Sequence, residues 1–210
     1  MRNLATLLDR EGLVLAVAMG ILLYMGGGTE YLLLMLIFFV LAVFVTRYEH
    51  QAKRELGLYE HERGWENVLS NGFLPIVLAI FHTSVGVGAY IGALAAITAD
   101  KFSSELGVLS GNARMLPYFT PVKPGKSGAV STLGLLEAVV GALLLGIGAW
   151  LLFKITLIQV LYIGMAGFAG SLVDSIFGIF EERGIGTKGT TNFFCSLTGA
   201  VLGYFLIPVM

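Results

Sequence analysis

Apolar and polar positions alternate along this chain in blocks rather than residue by residue. Seven apolar runs stand out, at Glu11–Met25, Tyr31–Thr46, Val68–Phe81, Val85–Ala99, Ala129–Leu152, Leu157–Ile179 and Phe193–Met210. Blocks of this kind predict membrane-spanning helices, although several fall short of the roughly 20 residues that a 30 Å hydrocarbon core requires. Val68–Phe81 is the least certain span. It contains Pro75, and only His82-Thr83-Ser84 separates it from the next run, so a full span and a re-entrant helix both stay open. Between the fourth and fifth runs lies the longest polar interruption, Ala99 to Ser131. The loop Tyr48–Trp65, of mixed charge with interspersed Leu and Tyr, reads as a helix lying along the interface or as a solvated connector.

Composition agrees with the blocks. Of 210 residues, 56% are hydrophobic and 13% charged, and the mean hydropathy is +0.83. Soluble domains carry about 25% charged residues. The expectation is one all-α polytopic bundle over residues 1–210. The lone Cys195 lies in an apolar run and excludes an intrachain disulfide.

Charge sets the orientation. With the N-terminus in the cytoplasm and seven spans, the inner segments collect 12 of the 13 basic residues, leaving only Lys154 outside. Positive residues favour the inner face. The C-terminus is then outside, and the loops Tyr48–Asn67, Asp100–Gly128 and Glu181–Asn192 share the cytoplasmic side. An enzyme drawing on a soluble cosubstrate needs only that side, whereas a transporter needs both.

Four constellations in or beside these loops carry candidate chemistry. Asp100 and Glu105 follow the apolar run GALAAITA, and carboxylates beside a span mark functional sites. They lie about 140° apart on a helix, so one ion reaches both only if the helix breaks or another element contributes. Gly167, Gly170/Ser171, Asp174/Ser175 and Gly178 form a small-residue stripe with an acid inside it. An Asp on such a face has to be paired, protonated or metal-bound. Arg63, Asn67, Ser70 and Asn71 recur at helical spacing, either as polar caps or as amide ligands. Finally, Pro121-Val122-Lys123-Pro124-Gly125-Lys126-Ser127-Gly128 combines glycines, two lysines and a helix start, a set suited to anions. It lacks the Walker A spacing. Thr187–Asn192 reads as an N-cap for the last run. His50, His61 and His82 have no metal-ligand spacing.

These segments resemble the integral-membrane family labelled domain of unknown function 92, which includes plant phytyl-phosphate kinases. The family's W-x-N-V-L-x-N is similar to Trp65–Asn71, its A-D-T-x-x-S-E-x-G to Ala99–Gly107, its V-x-P-G-T-x-G-x-V-S to Val122–Ser131 and its G-S-x-x-D-S to Gly170–Ser175. Lys101 and Lys126 stand where the family has Thr, and Lys126-Ser127 resembles the K-S of CTP-dependent polyprenol kinases. The resemblance implies transfer of the γ-phosphate of a nucleoside triphosphate, CTP by this likeness, to an isoprenoid monophosphate. In that reading Asp100, Asp174 and Glu105 are catalytic and hold Mg²⁺, and Lys126 is catalytic too. Asn67, Asn71, Arg114, Lys123, Gly125, Ser127, Gly128, Ser131, Ser171 and Ser175 bind phosphates. The lipid tail lies between spans, along the glycine-rich faces. The implied setting is a prokaryotic cell membrane with the site facing the cytoplasm. Its partners are the nucleotide, the isoprenoid phosphate and membrane lipids, with no nucleic acid and a homodimer left open. The competing expectations are a cytidylyltransferase making a CDP-activated lipid, a small ion-coupled transporter, and a structural or lipid-binding membrane protein whose carboxylates merely pair with lysines.

Overall fold

The computed structural model of the protein describes residues 8–57 and 64–208. Its helices are α1 (Arg10–Gly27), α2 (Thr29–Arg47), α3 (His50–Glu55), α4 (Trp65–Ile80), α5 (His82–Gly107), α6 (Thr132–Phe153), α7 (Leu157–Glu181) and α8 (Lys188–Leu206). Five of them, α1, α2, α5, α6 and α7, are long and apolar enough to cross a membrane. The apolar α4 has 16 residues.

Each of the seven apolar runs falls on a helix, with shifted ends. The fourth run does not stop at Ala99, because α5 carries Asp100 through Glu105 on to Gly107. Polarity marked an end there, but Lys, Phe, Ser and Glu all sustain a helix in progress. The fifth starts later than expected. Ala129–Val130 is a short strand, and α6 begins at Thr132 with Ser131 as its N-cap. The polar link also holds the two-residue strands β1 (Arg114–Met115), β2 (Thr120–Pro121) and β3 (Ala129–Val130), paired antiparallel in the order β2-β1-β3, within an otherwise all-helical fold. Of the loop Tyr48–Trp65, the described residues include the six-residue helix α3, and Arg63 lies outside the described residues.

At the centre stands α5, buried along most of its length and packed on α2, α4, α6, α7 and α8. Glycines set how closely those neighbours approach. A Cβ at Gly92 would stand 2.1 Å from the Gly199 carbonyl oxygen, and one at Gly167 would stand 2.9 Å from that of Ala95. The glycine-rich faces of α5, α7 and α8 are therefore closed backbone contacts. They leave no groove for a lipid tail, contrary to expectation.

Helix directions alternate, so α1, α4, α6 and α8 begin where α2, α5 and α7 end. Ion pairs from Lys53 to Glu105 and from Lys188 to Asp174 tie that end together. At the other end, Lys154 caps α6 and Gln159 donates to the Pro208 carbonyl. Lys53 is 1% exposed. Its ammonium donates to the carbonyls of Val45 at 2.8 Å and Thr46 at 3.2 Å and pairs with Glu105 at 2.9 Å. One side chain thus satisfies carbonyls in the last turn of α2 and clamps α3 to α5. Lys53→Met should cost about 3 kcal/mol, because buried acceptors lose their donor. The check is reversible unfolding in mixed micelles; an unchanged midpoint would contradict the clamp.

Candidate active site

The end of the bundle where α5 stops and α8 starts is hollowed into a polar cleft of about 540 Å³. Three helices bring its charges together. Asp100 comes from the last turns of α5, Asp174 from α7 and Lys188 from the first turn of α8. The Lys188 ammonium lies 2.7 Å from Asp174 Oδ2 and 3.8 Å from Asp100 Oδ2, so the two carboxylates share one cation. Both acids are largely shielded from solvent, whereas the Lys188 side chain is 48% exposed. Capping fixes the lysine's starting point, since Thr187 and Thr190 form a capping box that begins α8 there.

One atom in this cluster is unprovided for. Asp174 Oδ1 is buried and has no hydrogen-bond partner among the described residues. An ionised oxygen in that state is costly. It is also the natural ligand of a hard cation. The amides of Asn67, Asn71 and Asn192 line the same cleft. No three His, Cys, Asp or Glu side chains group into a metal site among the described residues. Two carboxylates completed by water and substrate phosphates suit Mg²⁺, which seldom takes an all-protein cage. Asp100 and Asp174 fit that role.

Glu105 is placed differently. It lines the cleft, but Lys53 pairs with its Oε2 while Thr46 and Lys101 donate to its Oε1. Continuity of α5 keeps Asp100 and Glu105 on different faces, and it is α7 that supplies the second acid beside Asp100.

The glycine–lysine loop forms another wall. Gly125, Lys126, Ser127, Gly128 and Ser131 line the cleft, as do Asn67, Asn71 and Ser175. Arg114, Lys123 and Ser171 do not. Arg114 is exposed and donates to the Phe119 carbonyl, Lys123 is exposed, and Ser171 is buried within α7. Two of the lining residues have structural duties. The Ser131 hydroxyl accepts from Gly134 N–H as the α6 cap and donates to the Gly107 carbonyl. Ser127 donates its N–H to Glu182 and its hydroxyl to Glu181. Gly128, at φ +80°, approaches α7 so closely that a Cβ would stand 2.7 Å from Ile179 N. Its lack of a side chain serves to pin the loop beside Ser175. That leaves the exposed Lys126 as the loop's own cation toward the cleft.

Lys188, Asn192, Lys53 and Glu181 also line the cleft, and no motif singled them out. Lys188 and Asn192 sit one helical turn apart at the start of α8, and Asp174 and Glu181 two turns apart on α7. Helical spacing was the available signal.

The sequence matches the family described as integral membrane protein DUF92 over residues 2–198. It is 38% identical over 205 residues to the uncharacterized membrane protein MJ0933 of Methanocaldococcus jannaschii, covering 95% of this chain and 85% of that one. It is 32% identical over 212 residues to Protein PGR of Arabidopsis thaliana, covering 84% of this chain and 70% of that one. No solved structure matches. With the family match spanning nearly the whole bundle and all its cleft-lining helices, this chain belongs to the integral membrane protein DUF92 family.

Proposed function

We propose that the cleft transfers the γ-phosphate of a nucleoside triphosphate, CTP by resemblance, to an isoprenoid monophosphate, giving the diphosphate. The observation that carries this reading is the pair of shielded carboxylates Asp100 and Asp174, one with an unpartnered oxygen, in a single cleft with Lys126 and Lys188. In the reaction an oxygen of the acceptor phosphate bonds to the γ-phosphorus, the bond to the β–γ bridging oxygen breaks, and the nucleoside diphosphate leaves. The acceptor needs little deprotonation, since the second pKa of a phosphomonoester is about 6. A general base is unnecessary, and none of the described residues lining the cleft is a histidine.

What such a transfer requires is positioning and neutralisation of phosphate charge. Mg²⁺ held by Asp100 and Asp174 would supply the neutralisation between nucleotide phosphates. Lys126 on the loop binds the nucleotide's outer phosphates. Lys188, half exposed, turns from the carboxylates toward the transferring group. Asn67, Asn71 and Asn192 orient phosphate oxygens. In this reading all seven long helices cross, and the basic residues at the cleft end favour the cytoplasm for that end by the positive-inside rule.

The test is purified protein with geranylgeranyl monophosphate, Mg²⁺ and each nucleoside triphosphate in turn. Diphosphate and nucleoside diphosphate are expected, with product lost on chelation and restored by added Mg²⁺. Release of pyrophosphate with transfer of a nucleotidyl group would move the assignment to a cytidylyltransferase. If no nucleotide yields a diphosphate, the kinase reading fails.

A further inference from the structure

A second cavity, of about 620 Å³, lies between α1, α2 and α4. Its walls are almost wholly apolar, built from such residues as Leu13, Val17, Leu36, Phe39 and Ile76. Asn67, Asn71 and Lys101 line this cavity and the polar cleft alike, so the two adjoin at these residues. At the junction Lys101 pairs with Glu105, which Lys53 also holds, placing two ammoniums on one carboxylate. An apolar groove that adjoins, at a lysine and two amides, a cleft with further lysines matches one kind of molecule, an anionic head on an apolar tail. Along α2 the lining runs from Leu32 to Thr46, about 21 Å at 1.5 Å per residue. That exceeds the roughly 15 Å depth of one leaflet, so the groove accepts a long tail. Being one groove among three helices, it takes a single chain.

We infer that this groove is the acceptor's tail site, with Lys101 binding the acceptor phosphate where the groove meets the cleft. The inference rests on the kinase reading for the acceptor's identity and deepens it. The two substrates enter from different sides, the lipid past α1, α2 and α4 and the nucleotide past the Lys126 loop. Lys101 is then a specificity-determining residue for an anionic head, a role that a threonine at this position would fill with a neutral hydrogen bond alone.

The test reads binding directly. A geranylgeranyl monophosphate carrying a diazirine in its terminal isoprene unit is irradiated with the full-length protein in nanodiscs, without nucleotide, and the labelled peptides are mapped. Label is expected on α1 near Gly20 and on α2 near Leu32, competed by unlabelled prenyl monophosphate but not by the prenol or by two-chain phosphatidate. Lys101→Met should lower phosphate-competable label about tenfold, the equivalent of one charge-assisted hydrogen bond. Gly20→Phe should remove label from the deep end. A Cβ at Gly20 meets only Leu32 Cδ1, at 3.8 Å, so the backbone accepts a side chain that then fills the groove. Label on lipid-facing α6 or α7, equal competition by the prenol, or indifference to Gly20→Phe would each overturn the proposal. Because no turnover is needed, labelled but inactive protein would sink the kinase reading and leave the groove standing. Active protein labelled elsewhere would do the reverse.

Discussion

Asp174→Asn should lower phosphoryl transfer by about 10² to 10³, the range seen when one preorganised electrostatic group is removed from an active site. The substitution keeps shape and leaves an oxygen for Lys188, whose ammonium now stands 2.7 Å from Oδ2. It removes the charge and replaces one of two oxygens by a donor, and Oδ1 is the oxygen with no partner. Asp100→Asn should behave alike. A purely structural cluster predicts something else, because then the acids exist only to pair with Lys188. In that case Asp174→Asn combined with Lys188→Met, which deletes one charge of each sign, would restore much of the activity. If the acids serve a cation and the substrates' phosphates, the double variant stays as inactive as the single. Steady-state rates against Mg²⁺ concentration, with thermal midpoints as the folding control, separate the two. Full activity in both Asn variants would remove the proposed site.

Much of this arrangement is legible in the sequence, for a physical reason. A membrane span must be apolar over a long stretch, so each of the seven apolar runs marks a helix, five of them long and apolar enough to cross a membrane. Asp174 could be singled out because an acid within a small-residue stripe has no cheap explanation. The ends of spans were harder. Asp100 looked like a boundary because polarity and helicity usually stop together at a membrane surface, yet α5 continues to Gly107. The pairing of Glu105 is hidden from sequence for a related reason. Its partner Lys53 lies 52 residues away, on a helix that folds back under α2, and no local pattern encodes that meeting. Lys188 was hidden by its own cap: Thr187–Asn192 does start a helix, and only the approach of α8 to α5 and α7 turns its first lysine into a ligand of two carboxylates. The apolar cavity lies away from the glycine-rich faces. Small residues suggest open space, but here they let helices touch, while the bulkier faces of α1, α2 and α4 leave a gap between their ridges.

That contact should be the most fragile in the bundle. Gly88 and Gly92 on α5 face Gly203 and Gly199 on α8, each pair four residues apart, the spacing through which membrane helices pack backbone to backbone. The approach is reciprocal. A Cβ at Gly92 would lie 2.1 Å from Gly199 O, and one at Gly199 would lie 2.2 Å from Gly92 O. No rotamer relieves either clash, since both obstructing atoms belong to the main chain. Gly92→Ala should therefore cost about 3 kcal/mol, the upper end for overpacking, and a bulkier Gly92→Val should prevent folding. By contrast, Gly20→Ala, with open space beside it, should be close to neutral. The sharper expectation concerns pairs. Once Gly92→Ala has pushed α8 off α5, Gly199→Ala meets a contact already opened, so the double variant should cost distinctly less than the two singles combined. Unfolding free energies in mixed micelles test this. Simple additivity would mean that the two glycines act independently, and α8 would not then be seated on α5 by this shared contact. The same displacement would carry Lys188 and Asn192 away from Asp100, so these variants should lose activity along with stability.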